Sequence, residues 1–264
     1  MPRLDIIGVG GVGKTTFVQN LKSFRKSPKW MDEREALNIT IRRALKSASY
    51  SVYLKSILYA LSAFRINLPN SIATQFMMKM GGNCYIEFLE NHPLFLQAIG
   101  KCIERSGTNN IQKLNFIHHF VHVLQKLSFI ERFTEKDDWV IWDESLTHKM
   151  FAVIPWTEDS IDLVELYCES VPLPDGIIYL RDSPDRIAKK ILKRSCSGRT
   201  VVAHANLDTD GLTNLNIITN VLAEESLNIM AYRGVNILEL NAKDENEVNI
   251  TKAQEFIKTL IAPT

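Results

Sequence analysis

Residues Met1–Thr16 read MPRLDIIGVGGVGKTT, and this stretch decides the fold. Leu4, Ile6, Ile7 and Val9 form a short apolar run, the composition of a strand buried on both faces of a parallel sheet. The run breaks into Gly8-Val9-Gly10-Gly11-Val12-Gly13-Lys14-Thr15, which matches the phosphate-binding pattern G-x-x-x-x-G-K-[ST]. Glycines permit backbone angles closed to other residues, so successive N–H groups can turn inward around phosphate oxygens. Lys14 then reaches the β- and γ-phosphates as a point charge, and the Thr15 hydroxyl sits on Mg²⁺. From Lys14 to about Phe24 the chain can run as a helix whose positive end faces the phosphates. A strand before the loop and a helix after it predict a nucleotide-binding site over Gly8–Thr16.

Composition sets bounds around this site. The chain has 264 residues and a net charge of +1, enough length for one large α/β domain with an insertion. Nothing in that charge points to nucleic acid or an acidic membrane surface. Cys84, Cys102, Cys168 and Cys196 are scattered without a C-x-x-C pair, as expected of reduced thiols. No charged-then-apolar leader precedes Leu4, and the apolar stretch Val52–Leu68 is broken by Lys55 and Arg65 and too short to span a bilayer. The expectation is a soluble, cytoplasmic protein.

From Ser27 to about Glu135 helical spacing replaces strand signal. Leu37, Ile41, Ala44, Leu45 and Ala48 fall on one face, as do Leu54, Ile57, Leu58, Leu61 and Phe64. A break at Asn67–Asn70 precedes a Met-rich turn at Phe76, Met77, Met78 and Met80. Pro93 opens a helix with Phe95, Leu96, Ile99 and Ile103 inward, Gly107–Asn110 ends it, and Ile117, Phe120, Val121, Leu124 and Leu127 resume the pattern. Such an insertion can wall an acceptor pocket. His118 and His122 form an i, i+4 pair, but no third ligand or H-E-x-x-H glutamate accompanies them, and they read as ordinary helix histidines.

Strand signal returns at Trp139-Val140-Ile141-Trp142, followed by Asp143-Glu144-Ser145. A carboxylate at the C-terminal end of a parallel strand lies where open sheets bind ligands, and Asp143 there would hold Mg²⁺. A third strand, Gly176–Leu180, leads to a helix started by Ser183-Pro184 and carrying Arg186, Lys189, Lys190, Lys193 and Arg194. Arg194 and Arg199 would bound a lid over Thr200–Asn214, where guanidinium groups can offset charge developing in transfer. A long helix (Leu215, Ile218, Val221, Leu222, Met230), the strand Val235–Leu240, a turn at Asn241-Ala242 that could lie against a purine, and a last helix with Ala253, Phe256, Ile257 and Leu260 inward complete the chain.

This order of loop, helical insertion, strand–Asp, P-D-G-I-I-Y-L strand with its S-P-D-R helix, basic lid, and final strand and helix resembles the nucleoside and nucleotide kinases of the P-loop proteins. Thymidylate kinases and deoxynucleoside kinases are nearest in style. The resemblance covers Met1–Phe24 and Trp139–Thr264, with only the loop motif highly specific. It implies a three-layer P-loop α/β fold with a mostly parallel sheet: a nucleotide-binding core at 1–26 and 136–264 and a helical insertion at 27–135. It further implies ATP·Mg²⁺ as donor, with Lys14 and Thr15 on phosphates and metal and Asp143 near the metal. Arg194 or Arg199 would stand in the lid, and a small-molecule acceptor would receive the phosphoryl group; a homodimer is compatible with this.

Two departures shape the expectation. Those kinases carry Arg after the strand-end acid, where this chain has Glu144, and Ser27–Glu35 reads poorly as the second strand that would present a further carboxylate. Glu144 would repel a phosphorylated acceptor and can orient a hydroxyl and receive its proton, so a neutral acceptor such as a nucleoside or sugar is expected. The rival reading is a switch ATPase in which Glu144 polarises water. A sulfotransferase-like enzyme fits less well because such enzymes do not usually carry a full G-K-[ST] loop. Asn241-Ala242-Lys243-Asp244 is not the N-K-x-D of a GTPase.

Overall fold

The computed structural model describes residues 1–25, 30–47, 70–157, 160–196 and 207–262. Strand β1 (Arg3–Ile7) runs into the glycine loop and helix α1 (Lys14–Ser23). Next come β2 (Trp30–Asp32), α2 (Glu33–Ser47), α3 (Asn70–Met80), α4 (Gly82–Asn91), α5 (Pro93–Arg105) and α6 (Asn110–Phe133). β3 (Trp139–Trp142), the short α7 (Leu146–Lys149), α8 (Ser160–Ser170), β4 (Gly176–Arg181), α9 (Pro184–Ser195), α10 (Thr209–Tyr232), β5 (Asn236–Asn241) and α11 (Asn246–Ile261) follow. The five strands pair in the order β2-β3-β1-β4-β5, all parallel, with β1 in the middle.

Strand alternation divides the core into two layers. Ile7, Val140, Trp142, Ile177 and Tyr179 face one way and pack with residues of α2, α6, α8 and α10. Leu4, Ile6, Ile141, Ile178 and Leu180 face the other way, toward α1, α9 and α11. The result is a three-layer α/β/α sandwich in which every strand ends at one edge. A bend there is demanded by Gly8: its φ is +148°, and a Cβ on it would lie 2.5 Å from the Leu180 carbonyl oxygen.

Several expectations need correction. Ser27–Glu35 contains a strand after all: Trp30–Asp32 pairs in parallel with β3, so the sheet reaches into the segment expected to be wholly helical. Three residues are too few to show a period. Phe76–Met80 is no turn but the end of α3, with Met77 buried and Met78 exposed. Leu96 and Ile117 point outward rather than inward. Thr209–Asn214 belongs to α10, because the Asp208 carboxylate caps it by accepting from the Gly211 N–H at 2.8 Å. On α10 the buried positions are Leu212, Asn216, Thr219, Leu222, Ala223, Ser226, Leu227 and Met230, whereas Ile218 and Val221 are exposed. Ala48, the Leu54–Phe64 stripe, Arg199 and residues 200–206 lie outside the described residues.

The helical side of the core is joined by aromatic contacts. Phe95 of α5, fully buried, lies 5.2 Å from the Tyr167 ring of α8 and 5.9 Å from Phe120 of α6. Phe95→Ala should cost about 3–5 kcal/mol in urea unfolding. A cost under about 1 kcal/mol would mean this aromatic junction does not hold the layer.

Candidate active site

The glycine loop ends at Gly13, whose φ of +113° turns the chain into α1. Lys14 is buried and its Nζ donates to the Gly8 carbonyl at 2.8 Å. Burial lowers its pKa to about 8; the charges of Glu144 and Asp143 oppose that shift, while Lys149 and Arg194 add to it. A phosphate arriving here would meet a lysine with little water to displace. The Thr15 hydroxyl donates to Asp143 Oδ2 at 3.0 Å, so the loop after β1 and the turn after β3 meet through the two residues assigned to metal.

The chemistry of this pair fits Mg²⁺, which prefers hard oxygens and takes one or two carboxylates together with substrate phosphates. Among the described residues no group of three or more His, Cys, Asp or Glu side chains is placed to hold a metal by itself. His118 and His119 are exposed and His122 is half-buried. No described helix is long and apolar enough to cross a membrane.

Beside Asp143 stand two carboxylate–lysine pairs. Glu144 accepts from Lys149 Nζ at 3.0 Å. Desolvation pushes its pKa up, but Lys149, Lys14 and Lys126 outweigh this and leave the carboxyl below its ordinary value. Glu33, the first residue of α2, pairs with Lys126 of α6. Burial drives its pKa up, the Lys126 charge opposes, and Asp143 and Glu144 push it further up. Sequence reasoning missed Glu33, Lys126 and Lys149. Asp32 is occupied elsewhere: it pairs with Lys22 and accepts from the Glu35 N–H at 2.7 Å, capping α2. That cap sets the next residue, Glu33, at the helix's first turn.

His148, next to Lys149, has its pKa held well below the ordinary value by burial and by Lys14 and Lys149, so it is neutral at pH 7. Arg194 is exposed in the last turn of α9, near enough for its charge to be felt at Lys14. Asn241 ends β5 on the same sheet edge, and the Ala242 N–H donates to the Arg181 carbonyl at 2.8 Å. Asn241 lines a depression of about 500 Å³ with Arg181, Asp182, Asn220 and Lys243. Gly8–Thr16, Asp143 and Glu144 are thus brought together, while Asn241 and Ala242 stand further along the edge, beyond β4.

Fold and loop define an α/β protein of the P-loop architecture. In fold the chain is similar to the structure of deoxyadenosine kinase from M. mycoides with bound dCTP, at 13% identity, 97% coverage of this chain, 99% of that one, and a TM-score of 0.47. At that identity and score the similarity has no bearing on substrate or reaction. No family model matches the chain, and no curated protein matches its sequence.

The lowered pKa of Lys14 has a consequence for stability. Its folded pKa lies below the unfolded value, so burying the charge costs stability at pH 7, where both states are protonated. That cost is relieved as pH rises from about 8 toward 10.5. Urea unfolding should show Lys14→Met more stable than wild type at pH 7, with the difference shrinking by pH 10. A difference independent of pH would remove the buried-charge account.

Proposed function

We propose that this chain is an ATP·Mg²⁺-dependent phosphotransferase acting on a neutral hydroxyl compound, nucleoside- or sugar-like. The observation carrying this reading is the clustering of Glu33 and Glu144 beside Lys14 and the Thr15–Asp143 contact, with the two carboxyl pKa values pushed apart. Such a divergence separates roles in acid–base chemistry.

Lys14 and the loop N–H groups hold the terminal phosphates, and Thr15 with Asp143 would hold Mg²⁺. A metal held there with the nucleotide would supply positive charge to offset that of the phosphates. Glu33, whose pKa burial raises above the ordinary carboxylate value, takes the proton of the acceptor hydroxyl. The acceptor oxygen bonds to the γ-phosphorus as the bridging bond to the β-phosphate breaks, and ADP leaves. Glu144, kept ionised by Lys149, accepts a hydrogen bond from the acceptor and disfavours an acceptor that already carries phosphate. Arg194 stands at the end of α9 to meet charge developing on the transferring group, with Arg199 assigned the same work from sequence. Asn241 and Ala242 are assigned to the donor base.

The test is ADP release with ATP·Mg²⁺ against panels of nucleosides, sugars, nucleoside monophosphates and no acceptor. Turnover with a neutral acceptor supports the reading. Turnover confined to monophosphates overturns the neutral-acceptor assignment, and ADP release needing no acceptor favours a switch ATPase.

With the acceptor found, Glu33→Gln should lower kcat by about 10²–10⁴-fold, and Glu144→Gln should lower it less. The wild-type rate should rise with pH through the Glu33 pKa, above the ordinary carboxylate value, because the base works ionised. Glu33→Gln should erase that limb; a limb that persists would return the base role to another group.

A further inference from the structure

Asp5 is a charged residue in the middle strand of the sheet, fully buried and in register with Trp142 of β3. It faces the layer that holds α7. Its Oδ2 accepts from the Thr147 hydroxyl at 2.8 Å, and Thr147 Oγ1 lies 2.7 Å from Ser145 Oγ. Thr147 has one proton and gives it to Asp5, and Ser145 also hydrogen-bonds to the Asp5 carboxyl. Both hydroxyls thus converge on the one buried carboxylate. Ser145 directly follows Glu144 and is the N-cap residue of α7.

A carboxylate in such a place is costly, and well-packed apolar replacements of buried ion pairs are often neutral or stabilising. Arg3 Nε lies 3.1 Å from Asp5 Oδ1 in a buried ion pair, and the guanidinium also donates from Nη2 to the Pro172 carbonyl at 2.6 Å. That pair offsets the buried charge but does not reach the site. The contact peculiar to Asp5 is the one that reaches the turn bearing Asp143 and Glu144.

We infer that Asp5, acting through Thr147 and Ser145, is a positioning residue that fixes the Asp143–Ser145 turn against the phosphate loop. It touches neither nucleotide nor acceptor. The consequence for metal binding rests on the proposed role of Asp143; the ordering of the turn does not.

The experiment measures ADP affinity by calorimetry with and without Mg²⁺, and amide hydrogen exchange over 143–147, in wild type and in Asp5→Asn, Thr147→Val, Thr147→Ser and Asp143→Asn. Thr147→Val is nearly isosteric and lacks the hydroxyl, so it serves where Asp5→Asn fails to fold. In Thr147→Val the gain in ADP affinity from Mg²⁺ should fall by about tenfold, with Mg²⁺-free affinity unchanged and exchange over 143–147 faster. Thr147→Ser should restore both. An unchanged Mg²⁺ gain together with unchanged exchange overturns the inference, as does equal loss of Mg²⁺-free affinity, which marks general damage. If Asp143→Asn keeps the full Mg²⁺ gain, the metal role of Asp143 fails, and exchange over 143–147 decides the positioning alone.

Discussion

The site depends on two parallel strands lying side by side. Because β1 and β3 pair in register from Arg3↔Val140 to Asp5↔Trp142, their C-terminal ends stop at the same edge. Thr15, opening the helix after one, then reaches Asp143 after the other at 3.0 Å. Slip that register by one residue and every side chain of β3 turns to the opposite face. Trp142 would leave its layer, and the carboxylate beside the loop would be lost. The fold is held by apolar burial on both faces of the sheet, and the same pairing sets the polar geometry at its edge.

Charge at that edge is balanced in close quarters. Lys14, Lys126 and Lys149 stand against Glu33, Asp143 and Glu144: the acids oppose the fall in the Lys14 pKa, and the lysines hold Glu144 below its ordinary value. Such a cluster costs desolvation and gains little stability in return. On the proposed function it is prepared electrostatics, with fixed charges aimed at the place where phosphoryl transfer would develop charge. The two lysine–carboxylate pairs hold their side chains in place, and α2, α6, α7 and the turn before α7 supply their backbones.

Much of this was legible in the sequence where the chain is buried on both sides. β1, β3 and β4 announce themselves as apolar runs, and the glycine loop has a pattern that few other structures require. β2 was not legible: Trp30-Met31-Asp32 is shorter than any period. Its signal was the Asp32–Glu35 capping box, which marks the start of α2 and with it the place of Glu33. Lys126 sits between Leu124 and Leu127 on a helix read for its apolar stripe, and its partner lies 93 residues away in sequence. Lys149 is five residues from Glu144, which precedes the helix, so no i, i+4 rule joins them. Pairings of this kind come from tertiary packing, and one sequence does not encode them visibly.

The central claim is that the loop after β1 holds nucleoside triphosphate, and calorimetry with ATP·Mg²⁺ on wild type and Lys14→Ala tests it most directly. Wild type should bind one equivalent. Lys14→Ala should bind at least about tenfold more weakly, a loss of about 1.4 kcal/mol or more, while remaining folded. Equal affinity in the two proteins would contradict the account.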